Sequence, residues 1–401
     1  MTHIATATAY NNSLEALMKR QTTMSNTQEQ LTTGKRVNRA SDDPAAAARA
    51  ERALAAEARS TASQRAVDAS NNAMALTESA LGDAGELLQQ IREKLVQAGD
   101  ASLTDADRKS LAAEVGEMRK QLLSIANRTD GAGTYLFGGQ SADQAPFVDA
   151  AGGVQFAGQA GAQQSASGEP LPLTVDGQVA WMSAGSGNGV FATGATVSNG
   201  SAWIDAGSVT DPSQITGASY RIAFDASSSP TTYSIYSPPS ATTPMAGQAG
   251  IAFKSPQAIQ VDGMSATISG SPADGDTFTI APSTPISVFG AVDQALADLN
   301  TTNRTSSQNT QANTLNIASL DSVMGQLQAT RSQVGATLDR VEGVTNRLSA
   351  LKLASQTERS NAEDVDMTQA ISDFSSQQTG YDAALKSYSM VQKLSLFNYL
   401  G

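Results

Sequence analysis

Few side chains in this chain could run chemistry. Its 401 residues include no cysteine and one histidine, His3. Thiolate nucleophiles, disulfides and cysteine metal centres are therefore excluded. The imidazole on which most general-base and metal-binding constellations depend is all but missing. A zinc-protease His-Glu-x-x-His helix cannot be written with one histidine. What remains is carboxylates and two tryptophans. Asp274-Gly-Asp276 opens like a calcium loop but lacks the further oxygen ligands in register, so it reads as a hairpin turn. A carboxylate pair for glycoside hydrolysis cannot be singled out from acids that loops normally expose to solvent. Trp181 and Trp203 could face a glycan, although a tryptophan in a strand-rich segment more often belongs to the core. The expectation is no catalytic residue, no cofactor and no metal.

Net charge is −12, which opposes nucleic-acid binding on electrostatic grounds. No run approaches the ~20 apolar residues of a membrane span, so neither nucleic acid nor membrane is an expected partner. Residues 1–18 contain no Lys or Arg and no continuous apolar core, unlike a cleavable secretory signal.

Stronger chemistry lies in apolar surface at the two chain ends. Phe374, Tyr381 and Tyr388 fall seven apart, with Ile371, Gln378 and Leu385 as a second row three residues ahead. Two positions per heptad is the stripe one helix presents to another. Beyond Tyr388 come Leu394, Phe397 and Leu400, so the chain stays apolar to its last residues. At the other end Leu17, Met24 and Leu31 repeat at seven, with Leu14, Gln21 and Gln28 beside them. Glutamine in both seams favours register over stability. Two marginal helices therefore meet, and they are expected to become firmly helical only when neighbouring copies cover them. The alternative is a helical hairpin docked on its own domain. The expected assembly residues are Leu14, Leu17, Met24, Leu31, Ile371, Phe374, Tyr381, Leu385, Tyr388, Leu394, Phe397 and Leu400.

These seams need elements to hold them. Gly34 breaks the first helix, and residues 34–44 read as an ordered spacer ending in Asp43-Pro44, an N-cap acid before a first-turn proline. An alanine-rich run follows, and then Val67, Met74, Leu81, Leu88 and Leu95 recur every seventh residue, predicting a helix of roughly 80 Å over 44–98. Thr104 and Asp107 cap an amphipathic helix to about Arg128, antiparallel to its predecessor. Late in the chain Leu320, Leu327, Val334, Val341 and Leu348 repeat the same period. Ser360 with Glu363 is expected to form a capping box before the terminal helix.

Composition changes sharply between these halves. Eleven of the twenty aromatic residues lie in 138–285, with ten acids against Arg221 and Lys254. Apolar residues there come in short alternating runs bounded by Gly, Pro, Asp and Ser, as in 171–175, 220–224, 233–236 and 277–280. Asp176-Gly177, Asp262-Gly263 and Asp274-Gly275 supply turns. The predicted fold class is α+β: a long antiparallel helical bundle or coiled coil built from both chain ends, with an all-β domain inserted. Expected boundaries are 1–43 and 360–401 for the terminal coiled-coil helices, 44–138 and 286–359 for the long bundle, and 139–285 for a variable all-β outer domain.

With these stretches in hand, the chain resembles the flagellin superfamily. The resemblance rests on Gly34-Lys-Arg-Val-Asn-Arg-Ala-Ser-Asp-Asp-Pro44, Gly133-Thr-Tyr-Leu-Phe-Gly-Gly139, and Asp364-Val-Asp-Met-Thr-Gln-Ala-Ile371 leading to Leu394-Ser-Leu-Phe-Asn-Tyr-Leu400. It covers roughly 1–140 and 286–401. The second and last pieces look more like the subunits that join hook to filament than like flagellins, which usually close on a Ser-Leu-Leu-Arg type of tail. The resemblance implies an extracellular structural protein of the bacterial flagellum, exported unfolded through the flagellar channel. It further implies a homo-oligomeric ring, contacts with hook-associated protein 1 and with flagellin, and an export chaperone on the C-terminal segment. A filament subunit is the alternative, and a displayed hydrolytic or glycan-binding β domain is a more remote one.

Overall fold

The computed structural model describes residues 2–165, 169–197, 199–227 and 229–400, with side chains described for all of these except 2–7, 9, 197 and 391–400. Helices occupy both ends: α1 (Thr2–Thr33), α2 (Pro44–Ala98), α3 (Asp105–Ala126), a short α4 (Gly177–Trp181), α5 (Val288–Asn300), α6 (Ser306–Glu363) and α7 (Met367–Leu400). Thirteen short strands lie between α3 and α5 among the described residues. The α+β class with a β region set between helical ends is what the sequence predicts.

The chain divides into two compact units, one of residues 66–343 and one of 1–65 with 344–401. In the larger unit, α2, α3, α5 and α6 enclose one core. The heptad row Met74, Leu81, Leu88 and Leu95 is almost fully buried, as are Leu320, Leu327 and Val334 opposite it. Period-seven patterning thus becomes helix-to-helix packing. Arg92–Asp321 at 2.6 Å links α2 to α6, while Lys94–Glu114 at 2.5 Å links α2 to α3 and Arg128–Asp83 at 2.7 Å ties α2 to the residues just after α3. Thr104 and Asp107 form the expected capping box on α3.

Segment 131–139 ends helical character and drives Leu136 and Phe137 into the same core. Phe137 meets Trp181 edge-on at 5.4 Å, and Trp181 stacks on Phe289 of α5 at 5.7 Å. Gly139 has φ +68°, and a Cβ there would lie 1.8 Å from the Gln159 carbonyl, so only glycine fits. Hairpin β1 (Phe147–Ala150) and β2 (Gly153–Phe156) is pinned to the bundle by Arg119, whose guanidinium bridges Asp149 and Asp293.

Two antiparallel sheets share a second core. One runs β4 (Phe191–Val197), β12 (Thr277–Pro282), β7 (Tyr220–Asp225), β8 (Thr232–Tyr236) and β9 (Ile251–Ala252). The other joins β10 (Gln257–Val261), β11 (Met264–Ser269), β5 (Trp203–Ile204) and β6 (Ser208–Val209). Tyr220, Ile222, Phe224, Phe278 and Ile280 face Ile204, Ile259, Ala266 and Ile268 across it. That resolves a choice the strand pattern left open, in favour of a sandwich. Asp262 and Gly263, both at positive φ, make the tight turn between β10 and β11. Strands β3 (Ala184–Gly185) and β13 (Pro285–Ile286) pair where the chain enters and leaves this region.

Three local expectations are corrected. Residues 171–175 form no strand; they run as a loop with one isolated bridge, Gln164 to Pro172. Asp176-Gly177 is a helix start, since the Asp176 carboxylate accepts from the amides of Gln178 and Val179. Ser360 lies inside α6 and donates to Asp364, so it caps nothing; Asp366 caps α7 by accepting from the Gln369 amide at 3.1 Å. At Asp176 and Ser360 a polar side chain took a different nearby partner from the one its spacing suggested: backbone amides for Asp176, the Asp364 carboxylate for Ser360.

Candidate assembly interface

The smaller unit holds the terminal seams. Within it α1 and α7 run antiparallel: Tyr10 meets Tyr388 (hydroxyls 2.6 Å apart, rings 5.5 Å), Arg20 lies against Gly380, and Thr27 donates to Gln377 at 3.0 Å. Leu17 and Thr27 are buried, and Leu14, Met24 and Leu31 are half-buried. On α7 the side facing α1 carries Ala370, Phe374, Gln377, Tyr381, Ala384 and Tyr388, all buried or half-buried. The row of Phe374, Tyr381 and Tyr388 is therefore brought against the row of Leu17, Met24 and Leu31.

The second apolar row is not. Ile371 is 57% exposed and Leu385 40%. A helix with a single partner covers one flank, and the row covered here beside Phe374, Tyr381 and Tyr388 is Ala370, Gln377 and Ala384. The larger aliphatic residues are left facing out. Met18 and Met390 are also exposed, as are Leu351 and Leu353 in the same unit. Leu394, Phe397 and Leu400 lie outside the residues whose side chains are described.

The polar partners of this seam were not legible from heptad spacing. Thr27 and Gln377 lie outside the rows that the spacing predicts, and their mutual hydrogen bond offsets the cost of burying them. Their only advance signal was the recurrence of glutamine along both helices.

The spacer after α1 sets how the terminal pair leaves the long helices. Gly34, at φ +71°, accepts from the Val365 amide at 3.0 Å, while the Arg36 amide donates to Glu363 at 2.6 Å. Lys35 pairs with Glu363 at 3.1 Å, and the Arg36 guanidinium donates to the Ala362 carbonyl at 2.8 Å. The break between α1 and α2 is thus tied to the break between α6 and α7. Asp43 starts α2 by accepting from the Ala46 amide at 3.0 Å. That bond, aided by Arg36, holds its carboxyl below the usual range. Near the start of α2, a groove of 610 Å³ is lined by Arg49, Leu353, Thr357 and Asn361.

Among the described residues no group of three His, Cys, Asp or Glu side chains is placed to hold a metal ion, and no helix is long and apolar enough to cross a membrane. What the unit presents is an incompletely covered pair of helices.

Comparison with known proteins places the chain in a family. The bacterial flagellin N-terminal helical region matches residues 4–142, and the bacterial flagellin C-terminal helical region matches 317–400. Flagellar hook-associated protein 3 of Escherichia coli is 28% identical over 369 residues, 92% of this chain and 90% of that protein. The chain belongs to the flagellin superfamily, in its hook-associated protein 3 branch.

Other members of the branch extend the likeness. Flagellar hook-associated protein 3 of Salmonella typhimurium is 37% identical over 150 residues, 37% of this chain and 47% of that protein, so that alignment spans about half its length. The crystal structure of Xanthomonas campestris FlgL superposes with TM-score 0.68 at 29% identity, covering 78% of this chain and 99% of that one. Flagellar hook-associated protein 3 of Legionella pneumophila gives 0.68 at 27% identity, covering 77% and 97%. Residues 194–282 of this flagellin-superfamily chain match a hook-associated protein 1 domain described as D2-like. Its relatives are structural proteins of the flagellum, and it is a flagellar component.

Proposed function

We propose that this chain is the structural subunit that joins the flagellar hook to the flagellin filament, and that it polymerises through α1 and α7. The observation that carries the reading is the alignment with hook-associated protein 3 along 92% of the chain. Matches to flagellins, such as that of Listeria monocytogenes at 33% identity, extend over 123 residues, 29% of the chain. That difference favours the junction over the filament.

The mode of assembly follows from exposure. Ile371 and Leu385 face outward on a helix whose inward flank is already taken, so a neighbouring copy can cover them. Copies arranged in a ring, with hook-associated protein 1 on one side and flagellin on the other, would each receive such a helix pair. Residues 1–43 and 360–401 then form an inner layer completed by assembly, residues 44–138 and 286–359 the layer around it, and 139–285 the outer domain. A thin terminal core fits export in an unfolded state, with a chaperone shielding the apolar C-terminal segment until secretion. The role is architectural and not enzymatic.

The test is a deletion strain viewed by electron microscopy. Hooks should persist while filaments are lost; the full chain should restore filaments, and a chain lacking residues 371–401 should not. Normal filaments in the deletion strain would refute the assignment. A filament subunit would instead dominate sheared flagella by mass, where a junction ring is scarce.

A further inference from the structure

Among the described residues, hydrogen bonds tie the β sandwich to the helical bundle of its unit at two separate places. One is the neck formed by β3 and β13, where the Ser186 amide donates to Thr284 at 2.8 Å and the Ser283 hydroxyl donates to Ser186 at 2.9 Å. Ser322 of α6 roots this neck by donating to the Gly185 carbonyl at 2.6 Å. The other place is Gln311, early in α6. The Ile204 amide donates to Gln311 Oε1 at 2.7 Å, and Gln311 Nε2 donates to the Ile204 carbonyl at 2.9 Å.

Ile204 pairs with Ile268 of β11 on its other side, and its own side chain is fully buried in the sandwich core. One side-chain amide therefore takes the place of the next strand. It satisfies two backbone groups that would otherwise be an open sheet edge. Because both bonds need the planar amide in line with the strand's donor and acceptor, the pairing fixes direction as well as position. We propose that Gln311 is a latch holding the sandwich in one orientation on the bundle, with the β3–β13 neck as the hinge. The device belongs to the fold itself and does not depend on which flagellar role the chain has.

The chain has no cysteine, so paired spin labels can be placed without background. Thr243→Cys in the sandwich and Ser332→Cys on α6, both exposed, report the orientation in the full-length protein. The parent should give one narrow distance distribution. Gln311→Ala should broaden it or add a second distance, and the Ile204 amide should exchange about tenfold faster or more as its acceptor is lost. Gln311→Glu keeps the volume and the acceptor but aims a carboxylate at the Ile204 carbonyl, and it should broaden the distribution as well. A distribution as narrow as the parent's in either variant overturns the latch. Broadening with exchange protection of β7, β8 and β12 intact is hinge motion. Broadening with that protection lost also overturns the proposal, since Gln311 would then be holding the fold rather than its direction.

Discussion

Replacing Ile371 and Leu385 together by alanine separates folding from assembly. These side chains are 57% and 40% exposed, so about half of each still touches water in a single copy. Full burial of such a residue contributes about 1.5–3 kcal/mol. Covering the remaining half therefore contributes roughly 0.75–1.5 kcal/mol per residue, or about 1.5–3 kcal/mol for the pair in each copy. Truncating exposed side chains changes the stability of an isolated fold by about 0.5 kcal/mol or less. The double variant should melt within about 2 °C of the parent in dilute solution. Its addition to isolated hooks should weaken roughly 10- to 150-fold. Calorimetry on the dilute protein gives the first quantity, and titration onto hooks capped by the preceding ring gives the second. Leu88→Ala is the control: that residue is fully buried, and its loss should cost about 2–5 kcal/mol and lower melting sharply. A fall of several degrees in the double variant, with hook binding unchanged, would refute the reasoning.

Further outcomes follow from particular contacts. Gly139→Ala should destabilise the larger unit by roughly 3 kcal/mol or more, because the new Cβ collides with backbone at a positive φ; denaturant unfolding measures it. Asp276→Asn should cost about 1–3 kcal/mol in the same assay, since the buried carboxylate accepts from the amides of Asn199, Gly200 and Ala273. Asp149 is held below the ordinary carboxylate range by its hydrogen bond to Arg119. With a depressed folded pKa, its stabilisation is fully present above the unfolded value of about 3.9 and is lost as pH falls through the lower folded value. Exchange at β1 and β2 should therefore rise below about pH 4 in the parent and much less in Asp149→Asn, as hydrogen exchange across pH can show. Removing Ile371–Gly401 should leave the bundle of α2, α3, α5 and α6 folded by circular dichroism while abolishing filament growth.

Much of the fold was legible because heptad spacing is a strong signal over long helices. Leu81, Leu88 and Leu95 could be buried in one way only, and Asp43-Pro44 marked a helix start that the structure reproduces. Legibility failed where one polar side chain had several partners within reach, as at Asp176 and Ser360. It failed also where burial depended on which flank of a helix found a partner. Rows 371/378/385 and 370/377/384 can each sit beside 374/381/388 at coiled-coil spacing, and only the docked helix shows that the alanine-bearing row turns inward. The Gln311–Ile204 pairing joins residues more than a hundred positions apart, and no local pattern announces it.

Hydrogen exchange by mass spectrometry, comparing the lone chain with intact hook–filament junctions, tests the central claim most directly. Peptides from 10–33 and 367–390 should exchange quickly in the dilute chain and slowly in the junction, while those from 74–98 stay protected in both. Equal and strong protection of the terminal peptides in the dilute chain would contradict it.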